Sequence, residues 1–451
     1  LLGSQLEFAA NSIYVDTGLV FPSGRIALGS TGLTTDDHVE LGPNARLDVS
    51  GRTISYVDGS LAGSSGGRVE LSSIGANVQM LEGSRIDLAS SAVAGDAGTL
   101  TISAANGTVM LDSTISTSGA SGFAGAGLCV DTGQLTDAAA FIQAVQAAGF
   151  SRSQQYRLRN GDLDLAALPD GTVNITAGEI GLAVDSGYVT ITGKLDASGD
   201  KAGMVDINAA GDLVLAGAGI DASAYNDNKG GKVVLASTAG SISADAATEI
   251  NVAAAGADGG TVALRAQRTD SNTDIAVSQF DANVSGAERI DIEGVTVYND
   301  SIVDAGAQAV YRDDAADWLS NAATITTRLG LGADARVNLL PGVEIVNDGS
   351  ITVSDTVDFY QWQIDTAGVV DQGTFTLRAT DNLTLNASVS DGVLDALIDD
   401  TDPVPVPMAR PGDAWSYRLI SGADTSSADR MAVNTDTDPD TGNLKLADGV
   451  V

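Results

Sequence analysis

A five-residue pattern recurs along the chain: glycine, any residue, apolar, polar or small, apolar. It reads Gly67-Arg68-Val69-Glu70-Leu71, Gly98-Thr99-Leu100-Thr101-Ile102, Gly171-Thr172-Val173-Asn174-Ile175 and Gly187-Tyr188-Val189-Thr190-Ile191. It returns as Gly203-Met204-Val205-Asp206-Ile207, Gly231-Lys232-Val233-Val234-Leu235, Gly260-Thr261-Val262-Ala263-Leu264 and Gly373-Thr374-Phe375-Thr376-Leu377. Period two places alternate side chains on one face, so each copy predicts a short strand with one buried side. The leading glycine suits a tight turn or a close backbone approach. The steps from Gly67 to Gly98, from Gly203 to Gly231 and from Gly231 to Gly260 are each roughly 30 residues, inside the range of solenoid repeats. The copies at Gly171, Gly187 and Gly203 follow one another at about half that spacing and leave the phase open there.

A second repeat is Leu/Ile-Asp-small-Ser: Leu47-Asp48-Val49-Ser50, Leu195-Asp196-Ala197-Ser198 and Ile220-Asp221-Ala222-Ser223, with Ile86-Asp87-Leu88-Ala89 as a looser copy. Each runs into Gly, Ser or Asp turn residues. Within 203–230, the stretches 204–209, 213–216 and 219–223 read as strands, with corners at 210–212 and 217–218. Three short strands in each interval of this length, repeated, predict an all-β fold, a right-handed parallel β-helix (a solenoid) with two partly helical excursions. Small residues suit a narrow coil whose side chains stack at ~4.8 Å. A sandwich or barrel would call for more aromatics and for Asn-Gly hairpins between repeats. Asn106-Gly107 and Asn160-Gly161 do not punctuate them.

The pattern divides the chain into coils over 1–122, an excursion at 123–170, coils over 171–299, a second excursion at 300–335, and coils again over 336–451. The last part carries a proline-rich break at 402–411 and an acidic tail at 436–442. In the first excursion Thr136 or Asp137 caps a helix over 138–148 that Gly149 closes. Phe141, Val145 and Ala148 share one face, with Ile142 beside it. Arg152, Arg157 and Arg159 follow as the densest basic stretch. In the second, 313–319 predicts a short helix with Trp318 and Leu319 available for docking. Both excursions are read either as braces on the coil flank or as contact surfaces, and Phe141, Arg152, Arg157, Arg159 and Trp318 are the candidate contact residues.

Composition narrows the function. Of 451 residues, 59 are acidic and 23 basic, a net charge of −36, which argues against nucleic acid as a partner. One cysteine, Cys129, allows no internal disulfide, and it is expected as a buried thiol. No run of about 18 apolar residues predicts a spanning helix. A 43% hydrophobic content and a mean hydropathy of +0.11 are too apolar for a solvated random chain. The opening Leu-Leu-Gly-Ser reads as a mature or internal piece of a longer product.

Several stretches together resemble the filamentous haemagglutinin family, large exoproteins of Gram-negative bacteria exported by two-partner secretion, and most closely a C-terminal domain of unknown function found in many of them. They are Ala147-Ala148-Gly149-Phe150-Ser151 with Arg157-Leu158-Arg159-Asn160-Gly161-Asp162, then Lys194-Leu195-Asp196-Ala197-Ser198-Gly199 and Gly260-Thr261-Val262-Ala263-Leu264-Arg265-Ala266. Leu340-Pro341-Gly342-Val343-Glu344-Ile345, Phe375-Thr376-Leu377-Arg378-Ala379, Leu385-Asn386-Ala387-Ser388-Val389-Ser390-Asp391-Gly392 and Trp415-Ser416-Tyr417-Arg418-Leu419 complete the set. Their order over roughly 120–425 carries more weight than any single piece. The resemblance implies a β-helical fibre segment on the outer cell surface, passed through an outer-membrane transporter barrel. Adhesion or structural work is implied, not catalysis, with neighbouring subunits as partners.

The competing functions are a carbohydrate- or receptor-binding adhesin module acting through the excursions, and a polysaccharide lyase or hydrolase. For the enzyme, Asp48, Asp196 and Asp221 stacked in a row would be the acid–base candidates. An aspartate bonding its own turn backbone explains the same residues. No cofactor is expected save calcium. Asp436, Asp438 and Asp440 suggest a calcium loop, although the glycine falls one position late and no closing Glu follows. His38, beside Asp36 and Asp37, reads as an ordinary loop residue.

Overall fold

A computed structural model describes residues 2–168, 171–256, 258–362, 372–390, 393–396, 406–409, 414–434 and 440–450. The fold is mostly β. Three α-helices interrupt the strands among the described residues: α1 (Ala138–Ala148), α2 (Ala305–Ser320) and α3 (Ala322–Arg328). The chain forms two compact units. The first comprises Leu1–Ala236, Ser243–Val262 and Asp281–Glu288, the second Ser237–Ile242, Ala263–Phe280 and Arg289–Val451.

The first unit is built from parallel stacks. The longest joins Gln5–Ala10, Arg25–Ser30, Arg68–Ser73, Thr99–Leu111, Gly127–Gln134, Ser153–Leu158, Glu179–Val184 and Met204–Ala209, each hydrogen-bonded to the next. From Gly127 onward the spacing is nearly constant, with strands beginning at Gly127, Ser153, Glu179 and Met204. A second stack joins Leu163–Leu165, Val189–Ile191 and Leu213–Leu215. A third joins Ile175–Thr176, Lys194–Asp196, Gly219–Asp221, Glu249–Asn251 and Asn283–Ser285. This settles the phase that the sequence left open. The glycine patterns at 171, 187 and 203 feed the third, second and first stacks in turn.

Register explains the core. Leu163, Val189 and Leu213 are partners, as are Leu165, Ile191 and Leu215, and all six are 0–1% exposed. Identical inward positions therefore stack as aliphatic ladders, each fully buried Leu, Ile or Val contributing about 1.5–3 kcal/mol. The Leu/Ile-Asp-small-Ser repeat closes the corner after each of its strands. Asp48 Oδ1 accepts the Ser50 amide at 3.1 Å and its hydroxyl at 2.6 Å, and Asp196 accepts both from Ser198 at 2.9 and 2.6 Å. Asp221 accepts the Ser223 amide at 2.9 Å. These aspartates bond their own turns, as the structural reading of the repeat required.

In the second unit the part of strand Ala287–Tyr298 from Arg289 on, Val337–Asn347, Thr374–Ala379 and Ser416–Ser421 run parallel. So do Ile302–Val303, Ile351–Val353, Leu383–Leu385 and Leu444–Leu446. Here a cluster of aromatics joins the aliphatic core. Phe359 stacks on Trp415 at 4.2 Å and meets Phe375 edge-on at 5.3 Å. Of the proline-rich break, Val406–Ala409 pairs antiparallel with Val393–Ala396, and the rest lies outside the described residues.

Two expectations need correction. The helix expected at 313–319 starts at Ala305, where Asp304 Oδ1 caps the Ala307 amide at 2.9 Å, and α3 follows it. Cys129, expected buried, lies on the outward face of its strand and is exposed. The Gly127–Gln134 strand alternates Leu128 and Val130 inward, so Cys129 between them points out.

Candidate functional site

The first excursion packs inward. Asp137 caps α1 by accepting the Ala140 amide at 2.9 Å, and Gly149 ends it at φ 81°. Its apolar face buries Phe141, Ile142 and Val145. Phe141 meets Tyr156 edge-on at 6.4 Å. Tyr156 donates to Gln154 Oε1 at 2.7 Å, and burial pushes its hydroxyl far above the ordinary range. Gln154, itself buried, donates to Phe150 O at 2.7 Å, while Gln146 of α1 accepts the Thr176 amide at 3.0 Å. The helix is thus bonded to the strands beneath it.

The basic stretch after α1 separates into two kinds of arginine. Arg157 Nε reaches Asp185 at 2.7 Å, and Arg159 grips Asp131 through Nε at 2.7 Å and Nη2 at 2.8 Å. Both acids lie on or just beyond the strands that flank Ser153–Leu158, so these charges are neutralised across the stack. Arg152 instead donates to Ala97 O at 3.0 Å, Gly98 O at 3.2 Å and Thr99 Oγ1 at 2.7 Å.

The second excursion docks through Tyr311, Ala315 and Trp318, the last 0% exposed. Trp318 lies against Gly294, where a Cβ would meet Cε2 of the indole at 2.6 Å. Arg268 also lies over the ring, 5.2 Å from its centroid, and donates to Gly294 O, Asp314 O and Gly342 O at 2.9, 3.0 and 3.3 Å. Burial pushes this guanidinium down to about 10. Phe141 and Trp318 therefore serve the interior. They are not outward contacts, because an aromatic face is worth most where it excludes water.

Sequence reasoning missed a buried charge ladder in the second unit. Arg265 binds Glu293 at 3.2 Å and Glu344 more closely, Arg378 Nη1 binds Glu344 at 3.2 Å, and Arg418 Nη1 lies 3.5 Å from Glu293. The Thr374 hydroxyl also bonds Glu293. Burial opposes ionisation of Glu293, but Arg265, Arg418, Arg430 and Thr374 outweigh it and hold the carboxyl at about 2. Glu344 is likewise held low against its burial by Arg265 and Arg378. Both carboxylates are thereby fixed in the ionised state, and the ladder ties the strands that carry Arg265, Glu293, Glu344, Arg378 and Arg418 to one another. A signal existed: Arg265, Glu344, Arg378 and Arg418 all lie in the segments that carry the family resemblance, each next to aliphatic strand residues.

Among the calcium candidates, Asp436 and Asp438 lie outside the described residues. Asp440 is exposed, and its carbonyl accepts from Asn382 at 2.9 Å. No group of three or more His, Cys, Asp or Glu among the described residues is placed to hold a metal. His38 sits in its loop with Nδ1 2.8 Å from Asp36 O and Nε2 3.3 Å from Glu40. Among the described residues no helix is long and apolar enough to cross a membrane. Comparison with protein-family models, curated proteins and solved structures returned no match.

Proposed function

We propose that the chain is a right-handed parallel β-helix forming a structural segment of a long secreted surface fibre of the filamentous haemagglutinin kind, acting by scaffold and contact and not by catalysis. The observation that carries this reading is the near-constant succession of parallel strands at Gly127, Ser153, Glu179 and Met204, with aliphatic ladders inside. An architecture of this kind lengthens by adding coils that touch only their neighbours, and parallel crossovers favour the right hand. The inward docking of α1 and α2 supports their role as braces. The partners on this reading are neighbouring subunits of the filament and, during export, an outer-membrane barrel, with the outer surface of a Gram-negative cell as the destination. A charge of −36 opposes lateral clumping, so bundling calls for specific contacts or for calcium bound at the 436–440 segment. Immunogold labelling of intact cells by electron microscopy tests the proposal. Label along surface filaments is expected, and label confined to the cell interior overturns it.

A further inference from the structure

A groove of about 440 Å³ crosses the first unit where the strands of the longest stack begin. Its floor is the backbone at Gly24, Gly67 and Gly98, held so close to neighbouring carbonyls that no side chain fits. One wall carries arginines. Arg25 is fully engaged, with Nη2 on Glu70 at 2.5 Å and Nη1 on Glu7 at 3.0 Å. Arg68 is not: its side chain is 58% exposed, and its ion pair is a 3.3 Å contact to the same Glu70. Arg152 lies at the groove end with three of its N–H groups on Ala97 O, Gly98 O and Thr99 Oγ1. A guanidinium has five N–H donors, so two are left, and none of its bonds among the described residues is to a carboxylate. In a chain with 59 acids against 23 bases, a rigidly held arginine without an acid is contrary to composition.

The rest of the lining offers Ser23, Ser65 and Asp96. Ser23 is held at φ 54°, a left-handed conformation that costs a non-glycine residue free energy, and its hydroxyl contacts Ser64 Oγ and Ser65 O at 2.7 Å each. Ala97 is the single apolar side chain in the lining apart from glycines. A peptide ligand would need apolar pockets, and a polyanion would be repelled by the field of the whole molecule. What matches is a polyhydroxylated ligand bearing one negative group.

We propose that this groove binds a carboxylated saccharide, its carboxylate on Arg68 and Arg152 and its hydroxyls on Ser23, Ser65 and Asp96. The inference rests on the groove alone and goes beyond the scaffold role, so the two fail separately. Calorimetric titration of the whole chain with galacturonic acid, glucuronic acid and sialyllactose, each carrying a single carboxylate, tests it, with the methyl ester of each as control. At least one acid should bind, and Arg68→Gln and Arg152→Gln should each weaken it by ~10-fold or more, as expected for loss of a charge-assisted hydrogen bond. The ester should lose as much. Arg68 projects from the surface, so Arg68→Gln keeps the test decisive if Arg152→Gln fails to fold by circular dichroism. Binding of none of the acids up to about millimolar concentrations, equal binding of acid and ester, or binding unchanged by Arg68→Gln overturns the proposal.

Discussion

The two excursions are attached in different ways. α1 is an uncharged amphipathic helix whose apolar stripe (Phe141, Ile142, Val145) settles onto the stack through its own periodicity. α2 carries Arg312, Asp313, Asp314 and Asp317, and its buried stripe (Gln308, Tyr311, Ala315, Trp318) is led by two large aromatics. Its largest residue also has a made-to-measure seat: Gly294 clears space for Trp318, and Arg268 lies over the ring. A helix placed by periodicity spreads its anchoring over several medium residues. α2 adds to its stripe a fitted seat for one large side chain, and this difference can be put to the test.

Trp318→Ala should cost the second unit about 3–5 kcal/mol in denaturant unfolding, the range for emptying a large buried aromatic site. Val145→Ala in α1 should cost the first unit clearly less. Equal losses would break the contrast. The buried ladder comes next. Glu344→Gln leaves Arg265 and Arg378 buried without their shared acid, and should cost roughly 3 kcal/mol or somewhat more.

The same ladder sets an acid response. Glu293 has its carboxyl lowered in the fold from 4.5 to about 2. A depressed pKa contributes stability that is present above the unfolded value and lost as pH falls towards the folded one. Thermal unfolding of the second unit should therefore drop in temperature between pH 4.5 and about 2, and Glu293→Gln should flatten that drop. A parallel fall in the variant would remove the ladder as the cause. The smallest effect belongs to the caps. Asp137→Ala and Asp304→Ala should each cost ~1 kcal/mol by chemical denaturation, since both helices lose one amide acceptor of the same kind.

Legibility in the sequence followed the range of the forces involved. The α1 boundaries were readable because Asp137 and Gly149 are local signals. The start of α2 was not, because Asp304 precedes Ala-Gly-Ala, a run with no apolar period. The Arg152, Arg157 and Arg159 cluster was legible as basic. Its division into two paired arginines and one arginine held largely by backbone carbonyls was not, since the partners Asp131, Asp185, Ala97 and Gly98 come from distant parts of the chain. The same holds for the ladder: Arg265 and Glu344 are far apart in the chain and meet only through strand register.

The sequence by itself determined what depends on neighbours along the chain. It determined the alternation that makes strands, the aspartates that close corners through the serine just beyond, and the glycines at strand starts. Tertiary structure decided what depends on stacking. Register between strands chose which stack each glycine pattern feeds, neutralised Arg157 and Arg159, and brought Arg68 and Arg152 to one groove from separate strands, while packing buried Trp318 on Gly294. Parallel pairing joins residues far apart in the chain, and no local pattern encodes that distance.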